Sequence, residues 1–240
     1  MDIHIFILCF NESVLLHHTI NHYRKNFPNA IITIYDNEST DNSVEIALSL
    51  GCKIITFTTK NEQNEHFQQK IKNNCWKNVK FGWIIVIDMD EWIIVKEKDL
   101  IEEEKKGVTI LTTKGVDMIG ESKDILLKDI DLHNINKAVD NVMISKSVCF
   151  HRNYIKEMNY HPGAHKCNPI GQIKYSNNVY IVKHMSNLGV YFLINKMKIR
   201  YQRSEKMRKF GLDIHYIKEE IDVIKYYYDQ LLKSYILIHV

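Results

Sequence analysis

The sequence predicts an α/β protein built on a mixed, mostly parallel central sheet and closed by C-terminal helices. Three observations carry that prediction. Short apolar runs rich in β-branched residues recur at 3–10, 30–35, 53–57 and 83–87; segments of helical spacing separate them; and three of the runs stop at polar clusters.

Ile3 to Phe10 reads as a strand ending at Asn11, and Ser13 to Lys25 as the helix after it. Ala30 to Tyr35 repeats the strand. The polar loop Asp36-Asn37-Glu38-Ser39-Thr40-Asp41 then supplies capping side chains for a helix reaching Leu50, which Gly51 ends. Lys53 to Phe57 is a third strand, and Phe67, Ile71, Cys75 and Val79 predict a helix with its apolar residues four apart. Trp83 to Ile87 is a fourth strand, stopping at Asp88-Met89-Asp90-Glu91. Beyond it the alternation loosens. Trp92 to Val95, Val108 to Thr112 and Val142 to Phe150 read as strands, Gly115 to Leu132 as irregular or a hairpin, and 151–177 as a long loop punctuated by Pro162, Gly163, Pro169 and Gly171. Val179 to Val182 is a last strand before His184. Two helices follow, the final one marked by Ile214, Ile217, Ile221, Ile224, Tyr228, Leu231 and Tyr235. That stripe reads first as a helix packed on its own domain and second as a homodimer seam.

Composition removes several classes of function. The 240 residues are 45% hydrophobic and 25% charged, enough to bury a core. A formal net charge of +3 is too small for a protein that neutralises many nucleic-acid phosphates. Five cysteines without a CxxC pair argue against a disulfide framework or thiolate zinc site and for a reducing, cytoplasmic setting. No apolar stretch approaches the roughly 20 residues of a membrane span, and the N-terminus has no basic leader region, so neither a transmembrane segment nor a signal peptide is expected. The excess of Ile (35), Lys (27) and Asn (21) over Arg (5) and Ala (4) points to an A+T-rich genome, bacterial or viral, and has no bearing on chemistry.

In an open α/β sheet, ligands bind beyond the carboxyl ends of the strands. Asn11-Glu12, Asp36-Asn37 and Asp88-Met89-Asp90-Glu91 all stand at such ends. An Asp-x-Asp leaving a strand puts two carboxylates on one side of the chain, where they can share a hard cation. Acidic pairs there also serve as turns and caps.

The arrangement resembles the nucleotide-sugar-dependent glycosyltransferases of the GT-A fold, family 2-like. Cys9-Phe10-Asn11-Glu12, Asp36 through Ser43, and Ile87-Asp88-Met89-Asp90-Glu91-Trp92 carry the resemblance, with His184-Met185-Ser186 followed by Phe192, Lys196 and Arg200-Tyr201. It implies one GT-A domain over 1–240: a nucleotide-sugar-binding half at 1–95, an acceptor-side half at 96–185, and C-terminal helices at 186–240. Phe10, Asn11, Glu12, Asp36, Asn37, Asp88 and Met89 would line the nucleotide-sugar pocket, Asp36 reaching the base. Asp88, Asp90 and His184 would hold Mn²⁺, or Mg²⁺ as the second choice, against the diphosphate of a UDP-sugar donor.

By their types alone, Asp36 could equally close an Asx-turn, Glu12 cap a helix, and His184 and Trp92 belong to the core. The resemblance implies transfer of a hexose with inversion to a glycan or glycoconjugate acceptor, which needs a base. No Glu-Asp pair stands where that family usually carries one, and the candidates are Asp117, His165 and Glu121, in that order. Glu91, Trp92 and His161 are placed on the acceptor side. The basic run Lys196, Lys198, Arg200, Arg203, Lys206, Arg208 and Lys209 is either a solvated helix face or a contact for the diphosphate, an anionic acceptor or a membrane surface. A nucleotidyltransferase is the alternative enzyme, but Phe10-Asn11-Glu12-Ser13 lacks the glycine and lysine of a triphosphate loop. A non-catalytic carbohydrate-binding protein is the alternative outside enzymes.

Overall fold

The computed structural model describes residues 1–128 and 130–238. The first half alternates as the sequence predicts: β1 (Ile3–Cys9), α1 (Ser13–Asn26), β2 (Ile31–Asp36), α2 (Ser43–Ser49), β3 (Lys53–Thr56), α3 (Glu65–Asn74) and β4 (Trp83–Asp88). Its four strands are parallel in the order β4-β1-β2-β3. Register places Leu8 beside Asp88 and Cys9 beside Asp36, so three strands deliver their polar ends to one edge.

The continuous apolar runs follow from burial on both faces. Ile5, Ile7, Ile85 and Ile87 point to one side, where Leu16, Ile20 and Tyr23 of α1 cover them. The alternate residues Phe6, Ile84 and Val86 point to the other, against Trp76 and Phe150.

The remaining elements are β5 (Glu91–Ile93), α4 (Glu97–Lys105), β6 (Ile110–Ile119), β7 (Lys137–Asp140), β8 (Cys149–His151), β9 (Ile155–Glu157), β10 (Ile170–Gly171), β11 (Tyr175–Asn187), α5 (Val190–Arg203), α6 (Glu205–Lys209), α7 (Glu220–Lys233) and β12 (Tyr235–Ile236). The sheet continues past β4 as β8-β6-β7-β12, all antiparallel neighbours. β11 lies parallel to β6 and antiparallel to β5, with His184 opposite both Asp117 and Glu91. The result is a mixed sheet whose parallel core lies in the first half.

Several sequence expectations are revised. α3 stops at Asn74, leaving Val79 beyond its end and Trp76 to fill the core. β6 runs straight through Gly115, where the reading broke off. A Cβ there would lie 2.4 Å from the Ile144 carbonyl carbon, so glycine is present to let the 142–144 turn cross the strand. That 3₁₀ turn replaces the first part of the strand expected from Val142. The last strand is far longer than Val179 to Val182, because pairing with β6 extends it in both directions. The final stripe is not one helix: Ile214 and Ile217 precede α7 and Tyr235 lies in β12. α7 packs Val223 and Tyr227 against Leu193 of α5, as a helix folded onto its own chain. No helix among the described residues is long and apolar enough to cross a membrane.

Candidate active site

A cavity of about 690 Å³ opens at the carboxyl ends of β1, β2 and β4. Phe10, Asn11, Glu12, Asn37, Asp88, Met89, Asp90, Glu91, Asp117, His165 and His184 all line it.

The β1–α1 corner is shaped by side chains rather than glycines. Asn11 adopts φ 50°, a left-handed conformation that asparagine tolerates. Its carboxamide accepts from the Thr40 N–H at 2.7 Å and its own N–H donates to Ser39 Oγ at 2.9 Å. Ser43 Oγ and Asp41 accept from the N–H groups of Glu12 and Ser13. Glu12 occupies the position just before α1 but makes no capping bond, and burial pushes its carboxyl upward. Its Oε1 instead stands 3.5 Å from the Arg200 guanidinium.

Asp36 is only 2% exposed. Its Oδ2 accepts from the Ser39 N–H at 3.0 Å, the turn that residue type allows, while its buried Oδ1 has no hydrogen-bond partner. A buried carboxylate oxygen left open is costly unless a ligand completes it.

The two aspartates of Asp88-Met89-Asp90 face different cations. Asp88 Oδ2 lies 2.7 Å from Lys72 Nζ and 3.3 Å from Lys146 Nζ. Burial would raise its pKa, but the two lysines hold it down at about 2. Lys146 also binds Glu91 at 2.6 Å. Asp90 Oδ2 gathers Lys196 at 2.5 Å, Arg200 at 2.9 Å and His184 Nε2 at 3.3 Å. Against its burial, Lys196, Arg200 and His184 keep Asp90 well below the usual carboxylate range. His184 in turn places Nδ1 2.6 Å from Asp117 Oδ1. Burial would lower this imidazole, yet Asp90 and Asp117 raise it to about 9. Asp117 Oδ2 accepts from the Asn141 carboxamide at 2.9 Å, fixing the carboxylate from its second side.

These contacts decide whether the expected metal fits. Among the described residues no group of three His, Cys, Asp or Glu side chains is arranged to hold a metal ion. Asp88 and Asp90, which the resemblance assigns to Mn²⁺ or Mg²⁺ with His184, each have an oxygen bound to at least two cationic side chains. A divalent ion placed there would meet positive charge already neutralising its ligands. The residues as arranged do not fit the ion.

Other expected positions also fall elsewhere. Trp92 is 1% exposed, donating to Thr19 Oγ1 at 2.8 Å and stacking on His22, so it is core and cannot flank an acceptor. Glu121 lies away from the cavity, ion-paired with Lys137. His161 borders a second, smaller cavity with Cys167 and Asn168, beside the main one. His165 borders both. Of the basic run, Lys196, Arg200 and Arg203 line the main cavity, whereas Lys198, Lys206 and Lys209 are exposed. Lys72, Lys146 and Asn141 escaped the sequence reading because each is an isolated polar residue with no motif to mark it, Lys72 on α3 and the other two in the connections flanking the 142–144 turn.

Residues 4–109, which hold β1 to β4 and the Asp-x-Asp, match the family model described as glycosyl transferase family 2. Protein RfbJ of Shigella flexneri is 32% identical over 63 residues, 26% of this chain. That match spans about half the curated relative's length, 49%. Among solved structures, S. aureus TarS in complex with UDP-GlcNAc aligns over 97% of this chain and 72% of its own with TM-score 0.47 and 15% identity. Glucosyl-3-phosphoglycerate synthase from Mycobacterium tuberculosis, in complex with Mn²⁺, UDP and glucosyl-3-phosphoglycerate, aligns over 47% of this chain and 43% of its own with TM-score 0.33 and 13% identity. Beyond residue 109, the matched segment is joined to the part of the chain that supplies Lys146, His184, Lys196, Arg200 and Arg203.

Proposed function

We propose that this protein is a glycosyltransferase that moves a hexose from a UDP-sugar to a carbohydrate or glycoconjugate acceptor with inversion. One observation carries the reading: the segment that matches the glycosyl transferase family 2 model is the part whose strand ends, Phe10 to Glu12, Asn37 and Asp88 to Glu91, line the cavity. Asp36 itself does not line the cavity, but it is next in chain to Asn37, which does, and its unpartnered Oδ1 is the acceptor for an N–H of the base. Asn11 and Asn37 supply amide groups near the ribose.

Inversion requires the acceptor hydroxyl to attack the anomeric carbon as the C–O bond to the diphosphate breaks, with the hydroxyl proton passing to a base. Two groups in the cavity can take that proton. Asp117 is held in position by His184 and Asn141. His165 is anchored by Nδ1 to the Met143 carbonyl at 2.6 Å, and burial together with Lys146 lowers its pKa, which keeps a lone pair available at neutral pH.

The test is a panel of UDP-, GDP- and TDP-sugars with donor hydrolysis and UDP binding as readouts. UDP-sugar hydrolysis with UDP binding in the low-micromolar to millimolar range supports the reading. Silence with every donor and no nucleotide binding sinks it in favour of a carbohydrate-binding protein. In an active enzyme, loss of turnover in Asp117→Asn with His165→Gln intact assigns the base to Asp117, and the reverse result assigns it to His165.

A further inference from the structure

Resting on the reading of a nucleotide-sugar site, we infer that the donor's diphosphate is countered by the side-chain cations of the C-terminal part of the chain and not by a divalent metal at Asp88 and Asp90.

Three cations stand on one stripe of α5. Lys196, Arg200 and Arg203 are spaced four and three residues apart, so they project from successive turns of the same face into the cavity. Lys72 and Lys146 reach the cavity from α3 and from the connection between the 142–144 turn and β8, their side chains only 5% exposed. Lysines are rarely buried that deeply without a reason rooted in charge.

The charge count favours an anion. Four of the five cations, Lys72, Lys146, Lys196 and Arg200, contact Asp88, Asp90 and Glu91 within ion-pair distance, with Glu12 at the edge of reach and pushed toward its neutral form by burial. The other acids of the cavity are otherwise engaged: Asp117 is bonded to His184, while burial and the neighbouring Glu65 push Asp213 toward its neutral form. Arg203 is the clearest surplus. Its guanidinium lies 3.2 Å over the Phe10 ring and donates to the carbonyls of Asn61 and Glu62, and no carboxylate among the described residues pairs with it.

The existing ion pairs need not break for a diphosphate to bind. An ammonium has three donors and a guanidinium five. Lys196 and Arg200 each give one to Asp90 Oδ2, leaving others for phosphate oxygens. Asp90 would then act as the anchor that holds two cations in place, and Asp88 would do the same for Lys72 and Lys146. When the glycosidic bond breaks, the charge arriving on the departing diphosphate is met by groups already oriented toward it. Arginine is well matched to that task, since its planar fork binds phosphate through two parallel hydrogen bonds.

The experiment is calorimetry of the full chain with UDP, in EDTA and in Mn²⁺ or Mg²⁺, together with titration of Mn²⁺ alone. The expected result is UDP binding in EDTA within about threefold of the value with either metal, and no saturable heat from Mn²⁺ alone. Arg203→Met and Lys196→Met, which keep the apolar stems, should each weaken UDP by about tenfold or more, with unchanged melting temperature as evidence of folding and uridine as a control insensitive to the change. UDP binding that appears only with metal overturns the inference and leaves the transferase reading intact. No nucleotide binding under any condition overturns that reading, and this inference with it.

Discussion

The two halves of this molecule carry opposite charge to a common place. The parallel half, β1 to β4, brings carboxylates: Glu12, Asp36, Asp88 and Asp90. The part beyond β4 brings most of the cations: Lys146, His184, Lys196, Arg200 and Arg203. Lys72 crosses that division in one direction, and Glu91 and Asp117 cross it in the other. The first half alone would present uncompensated acids at its strand ends, and the second half alone a cluster of cations with nothing to hold them. Each orders the other, so the site is the junction and belongs to neither.

The sharpest way to break that junction is Asp90→Ala. It leaves the buried Lys196 without its carboxylate and Arg200 with only the longer contact to Glu12, and removing one partner of a buried pair costs about 3–5 kcal/mol. Urea denaturation should show that loss together with abolished UDP binding, while Asp90→Asn should recover part of the stability and little of the binding.

His22 tests how firmly the helix of the first half holds β5. It is 1% exposed, stacked on Trp92 and bonded to the Ile93 carbonyl. Burial lowers its pKa from the ordinary 6.5 to about 4. Between those values the unfolded chain takes up a proton that the native state refuses, so stability is retained above pH 6.5 and lost as pH falls toward 4. The loss is on the order of 3 kcal/mol. His22→Gln should flatten that dependence in pH-resolved thermal melts.

Gly115→Val disturbs the second half while leaving the first untouched. The added Cβ meets the Ile144 backbone, and the expected cost is about 1–3 kcal/mol. Hydrogen exchange should accelerate in β6 and β11 and not in β1 to β4. A uniform acceleration would show that the halves do not open separately.

Asp213 gives an effect of opposite sign. Burial and Glu65 raise it to about 7, so the native state binds the extra proton and stability declines as pH rises from about 4 to 7. Asp213→Asn should be the more stable protein above pH 7. Smallest of all is Glu121→Gln, whose exposed pair with Lys137 is worth within about 0.5 kcal/mol and which leaves transfer unchanged.

The same division explains what could be read from the residues. β1 to β4 were legible because each is a local run, apolar on both faces and stopped by a polar cluster, and their order is set by short βα connections. Asn11, Asp88 and Asp90 were legible for the same reason, as the ends of visible strands. The second half was not, since β11 takes its length from β6 and β5 rather than from its own residues, and Tyr175-Ser176-Asn177-Asn178 shows no strand pattern. Trp92 illustrates the complementary error. An aromatic after an acidic motif suits a sugar face, but Thr19 and His22 occupy it, and they lie 73 and 70 positions earlier in the chain. Lys72 and Lys146 were beyond reach because a lysine's role depends on which carboxylate it meets. That is set by register across the sheet and not by neighbours in sequence.

The double pairing of β11 also has a kinetic side. His184 must find partners at Glu91 and Asp117, more than sixty positions back, before the seam can close. Closing loops of that size costs entropy in advance of any reward, which places this step late and makes it slow relative to assembly of the βα units. A nascent chain could therefore complete β1 to β4 early, with its acids exposed to water, and acquire the capacity to bind an anion only once α5 has been synthesised and docked.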